Sequence, residues 1–451
     1  MKIIIVGCGN VGRTLTEQLS NEGHNITVID QNATKVQLIV SKNDVMGIVG
    51  NGVSRSTLEE AGINETDLLI AVTSSDERNL LCCLMAKKVG DCQTIARVRD
   101  PLYFKEIPNF KEDLGLSLAI NPEYTASREI ARLLRFPSAI KVESFAKGRV
   151  ELINFKIPEQ SILDGCRICE LQDRSKASIL VCTVERGKEV FIPGGNFVIH
   201  SQDVISFVAS AKEANEFFKH IGGVTNRIRN VMIVGGGVTT YYLAKQLVTV
   251  GIKTKIIESN YERCKELSEL LPQSEIICGD GTEKALLMEE GIMNQQAFIA
   301  WTNNDEENVM LSMFVNGLTG AKTIAKVNRM SYSEILDGLN VGSVIYPKSL
   351  TADGIIQYVR AMQNSIGCNI ETLYRLIDNK VEALEFSIRE ISPVVGVPLH
   401  QLQLKPNLLI CCINRHGTII TPSGQDEIKL GDTVIIVTTN SGFSDIQDIL
   451  E

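Results

Sequence analysis

Residues 3–15 read IIIVGCGNVGRTL, an apolar run that leads into three glycines and then into a helical pattern. Gly7, Gly9 and Gly12 have the GxGxxG spacing, in which glycines allow a tight turn, a close approach of pyrophosphate to the backbone and close packing of helix on strand. A helix that begins at such a turn directs free N–H groups and the positive end of its dipole at an anion. The stretch therefore predicts a strand–turn–helix unit that binds phosphate. The structural alternative is a Rossmann-like domain that has lost its ligand.

An acidic residue supports the ligand-binding interpretation. Asp30 ends the next expected strand, 18 residues after Gly12. A carboxylate at this place accepts hydrogen bonds from a ribose diol and repels a 2′-phosphate. The pattern therefore favours NAD or an adenine nucleotide over NADP.

The same stretch occurs twice in the chain. Residues 231–258 repeat residues 3–30 at an offset of 228, so that Gly235 corresponds to Gly7 and Glu258 to Asp30. Three further segments repeat in the same order: 49–63 as 278–292, 69–90 as 298–320, and 95–103 as 324–332. A period of half the chain exceeds the roughly 20–50 residues of solenoid arrays, so the chain is a tandem duplication. One glycine is lost in the second copy, where Thr240 should push the helix slightly off the strand or tilt it.

Each repeat changes from an alternating pattern to a β-rich one. In residues 1–120, short apolar runs alternate with helical patterns, which predicts a parallel sheet with helices on both faces. The expected strands are 2–6, 25–29, 45–49, 67–72 and 94–98, and the expected helices are 10–21, 54–61 and 76–89. In helix 76–89 we expect a stripe of Leu80, Leu81, Leu84 and Met85 to face the sheet.

The expected fold class is α/β, with two Rossmann-like doubly wound parallel-sheet domains, each followed by a small β-rich α+β domain. The expected nucleotide-binding domains are 1–120 and 228–346, the bridging helices 121–139 and 347–366, and the β-rich domains 140–222 and 367–451. The bridging helices should bury apolar faces between the lobes through Ile130, Leu133, Leu134, Ile355, Ile356, Val359 and Met362.

Composition excludes several classes of protein. The net charge of the 451 residues is −9, which argues against general binding to nucleic acid because that needs a basic field. Neither a secretory signal nor an apolar run of about 18 residues is present, so we expect a cytoplasmic protein. Cys166 and Cys169 form a lone CxxC, which we interpret as structural rather than as a metal or redox site, and we expect no metal.

An ordered set of motifs identifies a family resemblance. GxGxxG, Asp30, GNG (50–52), LEEAGI (58–63), AVTSSDERN (71–79) and AR (96–97) follow one another as in the RCK (KTN) domain of potassium transport regulators. The β-rich segments resemble the small C-terminal domain that follows it. Two such pairs in one chain resemble the family of peripheral nucleotide-binding subunits of bacterial Trk potassium uptake systems.

The resemblance implies a nucleotide site in each half. In the first half its residues would be Gly7, Cys8, Gly9, Asn10, Val11, Gly12, Asp30, Asn51, Thr73, Ser74 and Arg97. In the second half they would be Gly235, Gly236, Gly237, Val238, Thr239, Glu258, Asp280, Thr302, Asn303 and Lys326. The family's adenine-side GD is Gly279-Asp280 in the second half but Gly50-Asn51 in the first.

Several of these residues also have a structural interpretation. Thr73 and Ser74 suit the N-cap of helix 76–89. The basic residue after the fifth strand, Arg97 or Lys326, suits phosphate but equally suits a surface salt bridge, for example with Glu123. Cys8 suits packing inside the turn.

The function that the resemblance implies is regulation of a membrane potassium transporter of the Trk type. The ligand would be NAD(H), with ATP or ADP as the alternative, and the chain would form a homo-oligomer, a dimer or a tetramer, at the inner face of the membrane. An NAD-dependent oxidoreductase is the second hypothesis. It would need a proton donor near the nicotinamide, and no such motif repeats in both halves. A scaffold without a ligand is the third.

Overall fold

The computed structural model describes residues 1–145, 150–221, 228–329, 333–336, 339–364, 370–377, 380–440, 442–443 and 445–451. The expected domain ends at 222, 366 and 367 lie outside these residues. The chain forms two compact units, and each unit combines segments from both repeats. Unit 1 is Met1–Ala131 with Arg229–Ile356, and unit 2 is Arg132–Ile228 with Gln357–Glu451.

The first half of unit 1 is a six-stranded parallel sheet with helices between its strands. The strands, in the order β3-β2-β1-β4-β5-β6 across the sheet, are β1 Lys2–Val6, β2 Asn25–Asp30, β3 Met46–Val49, β4 Leu68–Ala71, β5 Gln93–Arg97 and β6 Leu118–Ile120. The helices are α1 Asn10–Asn21, α2 Ala33–Val40, α3 Arg55–Glu60, α4 Asp76–Gly90, α5 Pro101–Phe110 and α6 Pro122–Arg135. The strand order reverses between β1 and β4, and ligands of such sheets bind beyond the carboxyl ends of the strands at that point.

Both repeats contain a second set of strands, and these form antiparallel sheets in unit 2. The strands of the first repeat, in the order β10-β9-β11-β8-β7, are β7 Lys141–Phe145, β8 Val150–Lys156, β9 Leu180–Arg186, β10 Glu189–Phe191 and β11 Val204–Val208. Its helices are α7 Leu171–Ser175 and α8 Ala211–His220.

The second half of unit 1 repeats the first sheet, with the order β14-β13-β12-β15-β16-β17. Its strands are β12 Asn230–Val234, β13 Lys253–Glu258, β14 Glu275–Cys278, β15 Ala297–Ala300, β16 Lys322–Lys326 and β17 Ser343–Ile345. Its helices are α9 Val238–Thr249, α10 Tyr261–Leu270, α11 Lys284–Glu289, α12 Asp305–Leu318, α13 Ser333–Leu336 and α14 Pro347–Asn364.

The second antiparallel sheet of unit 2 has the order β18-β19-β22-β20-β21, which matches the first. Its strands are β18 Ile370–Leu376, β19 Val381–Ser387, β20 Leu408–Arg415, β21 Thr418–Ile420 and β22 Thr433–Thr438. The two sheets share one apolar core, in which Cys182 of β9 and Cys411 of β20 are fully buried. The fold class predicted from the sequence is therefore confirmed.

Helix α4 buries a different face from the predicted one. The residues at full burial are Asn79, Cys82, Cys83 and Ala86, at the i, i+3, i+4, i+7 spacing of one helix face. Leu81 is 44% exposed, and Leu80, Leu84 and Met85 are half-buried beside the contact. The prediction was wrong because small side chains let the helix approach the sheet closely, and the larger apolar ones then lie at its edges.

Two further expectations concern helix ends and bridging helices. Ser75, rather than Thr73 or Ser74, caps α4, since its hydroxyl accepts the Arg78 N–H. In the bridging helices α6 and α14, six of the seven apolar residues are buried: Ile130, Leu133, Leu134, Ile355, Ile356 and Val359. Of the helices in the described ranges, none combines the length and the apolar character needed to cross a membrane.

Candidate nucleotide-binding site

Unit 1 contains a cavity of about 1200 Å³ at the carboxyl ends of its strands, and both halves of the unit line it. The lining residues from the predicted first-half site are Gly7, Gly9, Asn10, Val11, Asp30, Asn51, Thr73, Ser74 and Arg97. From the predicted second-half site only Thr239, Asn303 and Lys326 line it. The two sets of residues, which belong to different repeats of the chain, therefore meet around one space.

The first glycine turn is held by Asp30. One carboxylate oxygen accepts the Cys8 N–H at 2.7 Å and the other accepts the Asn32 N–H at 2.9 Å. Gly7 has φ +110°, a backbone angle that residues with a side chain rarely adopt. A Cβ at Gly9 would meet no atom within 4 Å, whereas one at Gly12 would lie 1.9 Å from the Gly7 carbonyl oxygen. The turn is therefore open towards the cavity at Gly9 and tightly packed on the helix at Gly12, as the GxGxxG spacing requires.

Cys8 and Gly12 belong to the turn without lining the cavity. The Cys8 side chain is 2% exposed. Burial, and after it the charge of Asp30, raises the pKa of the Cys8 thiol to about 12. This side chain is a packing residue, and its backbone N–H is the part that contributes to the site.

Hydrogen bonds from one side chain, which was not among the residues predicted for the site, join the ends of β4 and β5. Asn79 is fully buried, and its side-chain oxygen accepts both the N–H and the hydroxyl of Thr73, at 2.8 and 2.7 Å. Its amide nitrogen donates to the Arg97 carbonyl at 2.9 Å. Asn308 makes the same three bonds with Thr302 and Lys326 in the second half. The repeated Asp-Glu-x-Asn pattern at 76–79 and 305–308 is the signal that could have revealed it.

A second unassigned residue orients the loop beyond β5. Asp76 is buried and accepts the backbone N–H groups of Arg99 and Asp100, at 2.7 and 2.8 Å. Asp305 does the same for Asn328 and Arg329. Each half thus uses one buried carboxylate to fix the loop that carries an arginine at the cavity.

The cavity is rich in positive charge although the whole chain is acidic. Seven cationic side chains line it, against four carboxylates. The cations are Lys35, Arg78, Arg97, Arg99, Lys326, Arg329 and Lys348, and the carboxylates are Asp30, Glu123, Asp305 and Glu306. This distribution favours an anionic ligand.

Arg97 and Lys326 have matching positions in the two walls. An Arg97 amino group donates to the Thr73 carbonyl, and Lys326 Nζ donates to the Thr302 carbonyl at 2.9 Å. Burial lowers the pKa of both side chains, and the Arg97 Nε is buried without a hydrogen-bond partner. A cation that has lost its water is stabilised by an anion, so both side chains suit a phosphate.

The salt bridge considered for Arg97 is formed by another residue. Glu123 pairs with Arg99, whose Nε and Nη2 lie 2.6 Å from one carboxylate oxygen. Arg97 points instead into the wall of the cavity, so the alternative of an Arg97–Glu123 pair was wrong.

The second glycine turn is built like the first, and a side chain of α10 contacts its backbone. Glu258 accepts the Gly236 N–H at 2.7 Å, as Asp30 does for Cys8. Thr240 replaces the third glycine, and its hydroxyl donates to the Gly235 carbonyl at 2.6 Å. The Arg263 Nε of α10 donates to the Gly236 carbonyl at 2.7 Å. The predicted residues Gly235, Gly236, Gly237, Val238, Glu258, Asp280 and Thr302 do not line the cavity.

The two halves of unit 1 are bonded to each other next to the cavity. The Asn121 amide donates to the Tyr242 hydroxyl at 3.0 Å, and Gln246 donates to the Ser127 hydroxyl at 2.7 Å. The rings of Tyr124 and Tyr242 meet edge to face at 5.4 Å between centroids. The start of α6 therefore packs on α9 across the pseudo-symmetric interface.

The described residues hold no cluster of three or more His, Cys, Asp or Glu side chains that could bind a metal. Cys166 is buried and donates to the neighbouring Arg167 carbonyl, and Cys169 is exposed.

Comparison with known proteins gives the same domain order along the chain. Residues 3–122 and 231–347 match the TrkA-N domain family, and residues 152–222 and 383–451 match the TrkA-C domain family. Among solved structures, the GsuK RCK domain has a TM-score of 0.62 at 16% identity and covers 97% of this chain and 92% of its own. The GsuK channel bound to NAD also has a TM-score of 0.62 at 16% identity, with coverages of 97% and 76%.

Curated relatives match over the whole length. The Trk system potassium uptake protein TrkA homolog of Archaeoglobus fulgidus is 33% identical and covers 100% of both chains. The Trk system potassium uptake protein TrkA of Vibrio alginolyticus is 31% identical, with coverages of 100% and 99%. That of Halomonas elongata is 32% identical, with coverages of 97% and 95%. The resemblance predicted from the sequence is therefore confirmed, and the chain belongs to the TrkA family of Trk system potassium uptake proteins.

Proposed function

We propose that this chain is the nucleotide-binding regulatory subunit of a Trk-type potassium uptake system, and that the nucleotide acts from the cavity of unit 1. The observation that carries the proposal is that both repeats line this cavity. If one half alone held the ligand, the binding free energy would not depend on the position of the other half. A ligand held by both halves favours the arrangement in which both can reach it.

The first half supplies the specific part of the site. The turn at Gly7 and Gly9 receives the pyrophosphate, and Asp30 accepts the ribose hydroxyls with the lone pairs that its two backbone bonds leave free. Asn51 lies on the adenine side, and Thr73, Ser74 and Arg97 lie beside the phosphates. NAD(H) fits this set best, with ADP or ATP as the alternative. Among the similar solved structures, the GsuK channel is bound to NAD in one and GsuK is bound to ADP in another.

The second half supplies charge to the same ligand. Lys326, Arg329 and Lys348 line the opposite wall of the cavity. Charge-assisted hydrogen bonds of this kind contribute about 1.5–3 kcal/mol each. Forming or losing one of them between two lobe arrangements supplies the roughly 1–3 kcal/mol of a typical allosteric coupling.

The remaining parts of the proposal follow the family. The partner is a membrane potassium transporter subunit of the Trk type, and the chain acts in the cytoplasm, at the inner face of the membrane, as a homo-oligomeric dimer or tetramer. Large apolar side chains left exposed on unit 1, including Leu81 and Met310 at 44% and 67% exposure, are available for such an assembly. The domain bounds and the second-half site given from the sequence remain predictions.

Potassium flux tests the proposal in vesicles that contain a Trk-type transporter, with and without NAD(H) or ADP. Adding the chain should make flux respond to nucleotide, and Asp30→Ala should reduce this response. Glu258→Ala removes the equivalent bond to a turn N–H outside the cavity, and its effect shows how much of the response depends on the second glycine turn. Flux that the chain does not alter, or steady NADH oxidation by the isolated chain, would favour the NAD-dependent oxidoreductase instead.

A further inference from the structure

Two cysteines meet beside the second glycine turn, where helix α10 packs on strand β14. Cys264 lies in the first half of α10 and Cys278 is the last residue of β14. The Glu258 carbonyl accepts the Cys264 Sγ–H at 3.2 Å and the Gly279 N–H at 3.0 Å. Glu258 is also the direct partner of Cys278 in the parallel register. One carbonyl group thus places the Cys264 sulfur beside the strand pair that contains Cys278.

The first half of unit 1 provides the comparison. Val36 and Val49 occupy the corresponding positions, with Val49 paired with Asp30 in the same register. Two valines suffice to pack the helix on the strand, so packing alone does not require the cysteines. The second half keeps the packing and adds a dithiol.

The two thiols differ in access to solvent. Cys264 is 6% exposed, whereas Cys278 is exposed. Among the cysteines that the structure describes, Cys169 is the other exposed one. Cys182 and Cys411 of unit 2 also belong to one apolar core, but both are fully buried.

We propose that Cys264 and Cys278 form an oxidation site, at which a peroxide converts the two thiols into an intramolecular disulfide. The Cys278 sulfur, as thiolate, attacks hydrogen peroxide, so that an S–O bond forms, the O–O bond breaks and hydroxide leaves to take up the released proton as water. The Cys264 sulfur then attacks the sulfenic sulfur of Cys278. The S–S bond forms, the S–O bond breaks, and the hydroxyl group leaves as a second water with the Cys264 proton. Both sulfurs are oxidised and one peroxide is reduced.

The environment of Cys264 supports this order of steps. Burial, followed by the hydrogen bond with Cys278, raises the pKa of the Cys264 thiol to about 11. Cys264 therefore remains a thiol while the exposed Cys278 reacts first.

The disulfide would fix the helix that contacts the second glycine turn. Arg263 on α10 donates to the Gly236 carbonyl, and Leu267 on the same helix lies within 2.6 Å of a Cβ built at Gly236. A bond between α10 and the end of β14 joins this helix to the strand that leads into Gly279 and Asp280. The oxidised chain should therefore hold α10 more rigidly against the Gly236 backbone.

To test this, the full chain is treated with hydrogen peroxide and the remaining thiols are alkylated. The cysteine peptides are then mapped by mass spectrometry. The expected product is a Cys264–Cys278 disulfide, reversed by a dithiol reductant, with slower amide exchange in α10. Cys169→Ser is the control for the other exposed thiol and should give the same product.

Two valine variants separate a dithiol site from a single reactive cysteine. Cys264→Val copies the first half and should leave Cys278 as a sulfenic acid that dimedone traps. Cys278→Val should leave Cys264 reduced. The proposal is overturned if the wild-type chain accumulates oxidised Cys278 with Cys264 still reduced, or if another pair of cysteines forms the disulfide under these conditions.

Discussion

The substitution Gly12→Ala tests how closely helix α1 approaches the glycine turn. A Cβ at this position would lie 1.9 Å from the Gly7 carbonyl oxygen and 3.5 Å from a Val72 methyl group. Carbon atoms do not come closer than 3.0 Å to such neighbours, so the turn or the helix must move by about 1 Å. Overpacking of this kind costs ~1–3 kcal/mol.

Two measurements report that movement. In a unit of this size, each kcal/mol lowers Tm by about 2–4 °C, which calorimetry resolves. A displacement of about 1 Å also breaks a hydrogen bond between the turn and a pyrophosphate, since such bonds are lost beyond roughly 3.5 Å. Losing one charge-assisted bond of ~1.5–3 kcal/mol should weaken NAD(H) or ADP binding by about 10–100-fold in a calorimetric titration.

Gly9→Ala is the matched control. Gly9 has φ −73° and an added Cβ there meets no atom within 4 Å, so Tm should not change. Binding should still weaken, because the methyl group occupies the space in which pyrophosphate approaches the backbone. If Gly12→Ala binds nucleotide and melts as the wild-type chain does, the close packing of α1 on the turn is not what shapes the site.

Three further predictions concern the ligand, the second wall and stability in acid. Asp30 should make NAD(H) or an adenosine phosphate bind more tightly than NADP(H) in a titration, and equal affinity for NADP(H) would contradict its role at the ribose. Arg329→Ala should weaken nucleotide binding to the first glycine turn by about 10–100-fold through the loss of one charge-assisted bond, and an unchanged Kd would show that the second half takes no part. In unit 2, burial raises the pKa of Asp203, but the hydrogen bonds from Arg186 and the His200 N–H outweigh it and leave that pKa below its usual value. A carboxyl group with a lowered pKa stabilises the fold above its unfolded pKa of about 3.9, and this stability is lost as pH falls. Asp203→Asn should therefore lower Tm at neutral pH and make Tm depend less on pH below about 4. Equal acid sensitivity of the wild-type and variant chains would contradict the assignment.

The sheet and the glycine turn could be predicted because their signals are local. An apolar run followed by spaced glycines has few structural solutions, and the observed β1 and α1 have the expected bounds. Helices α2 and α5 and strand β6 were missed, although the shorter helix α3 was expected. Their helical or strand character depends on caps at Asn32 and Asp100 and on pairing with β5.

The second wall of the cavity could not be predicted from the sequence. Arg329 and Lys348 follow no motif, and their place beside Gly7 depends on how α6 packs on α9 through Asn121 and Tyr242. The resemblance implied a site in each half, and the structure brings residues of both sets around one cavity. That arrangement arises from tertiary packing, which the spacing of motifs within one repeat does not encode.

Because both walls of the cavity belong to one polypeptide, the site does not depend on an encounter between subunits. A site shared between two identical chains falls apart on dilution, and each mutation in it appears on both sides of the symmetry axis. Here the second wall is present at the high effective concentration of a tethered partner, so nucleotide affinity should be the same at any concentration of protein. The two walls also differ in what they contribute: one brings a glycine turn and its carboxylate to the cavity, whereas the other brings Lys326, Arg329 and Lys348 but not its own glycine turn.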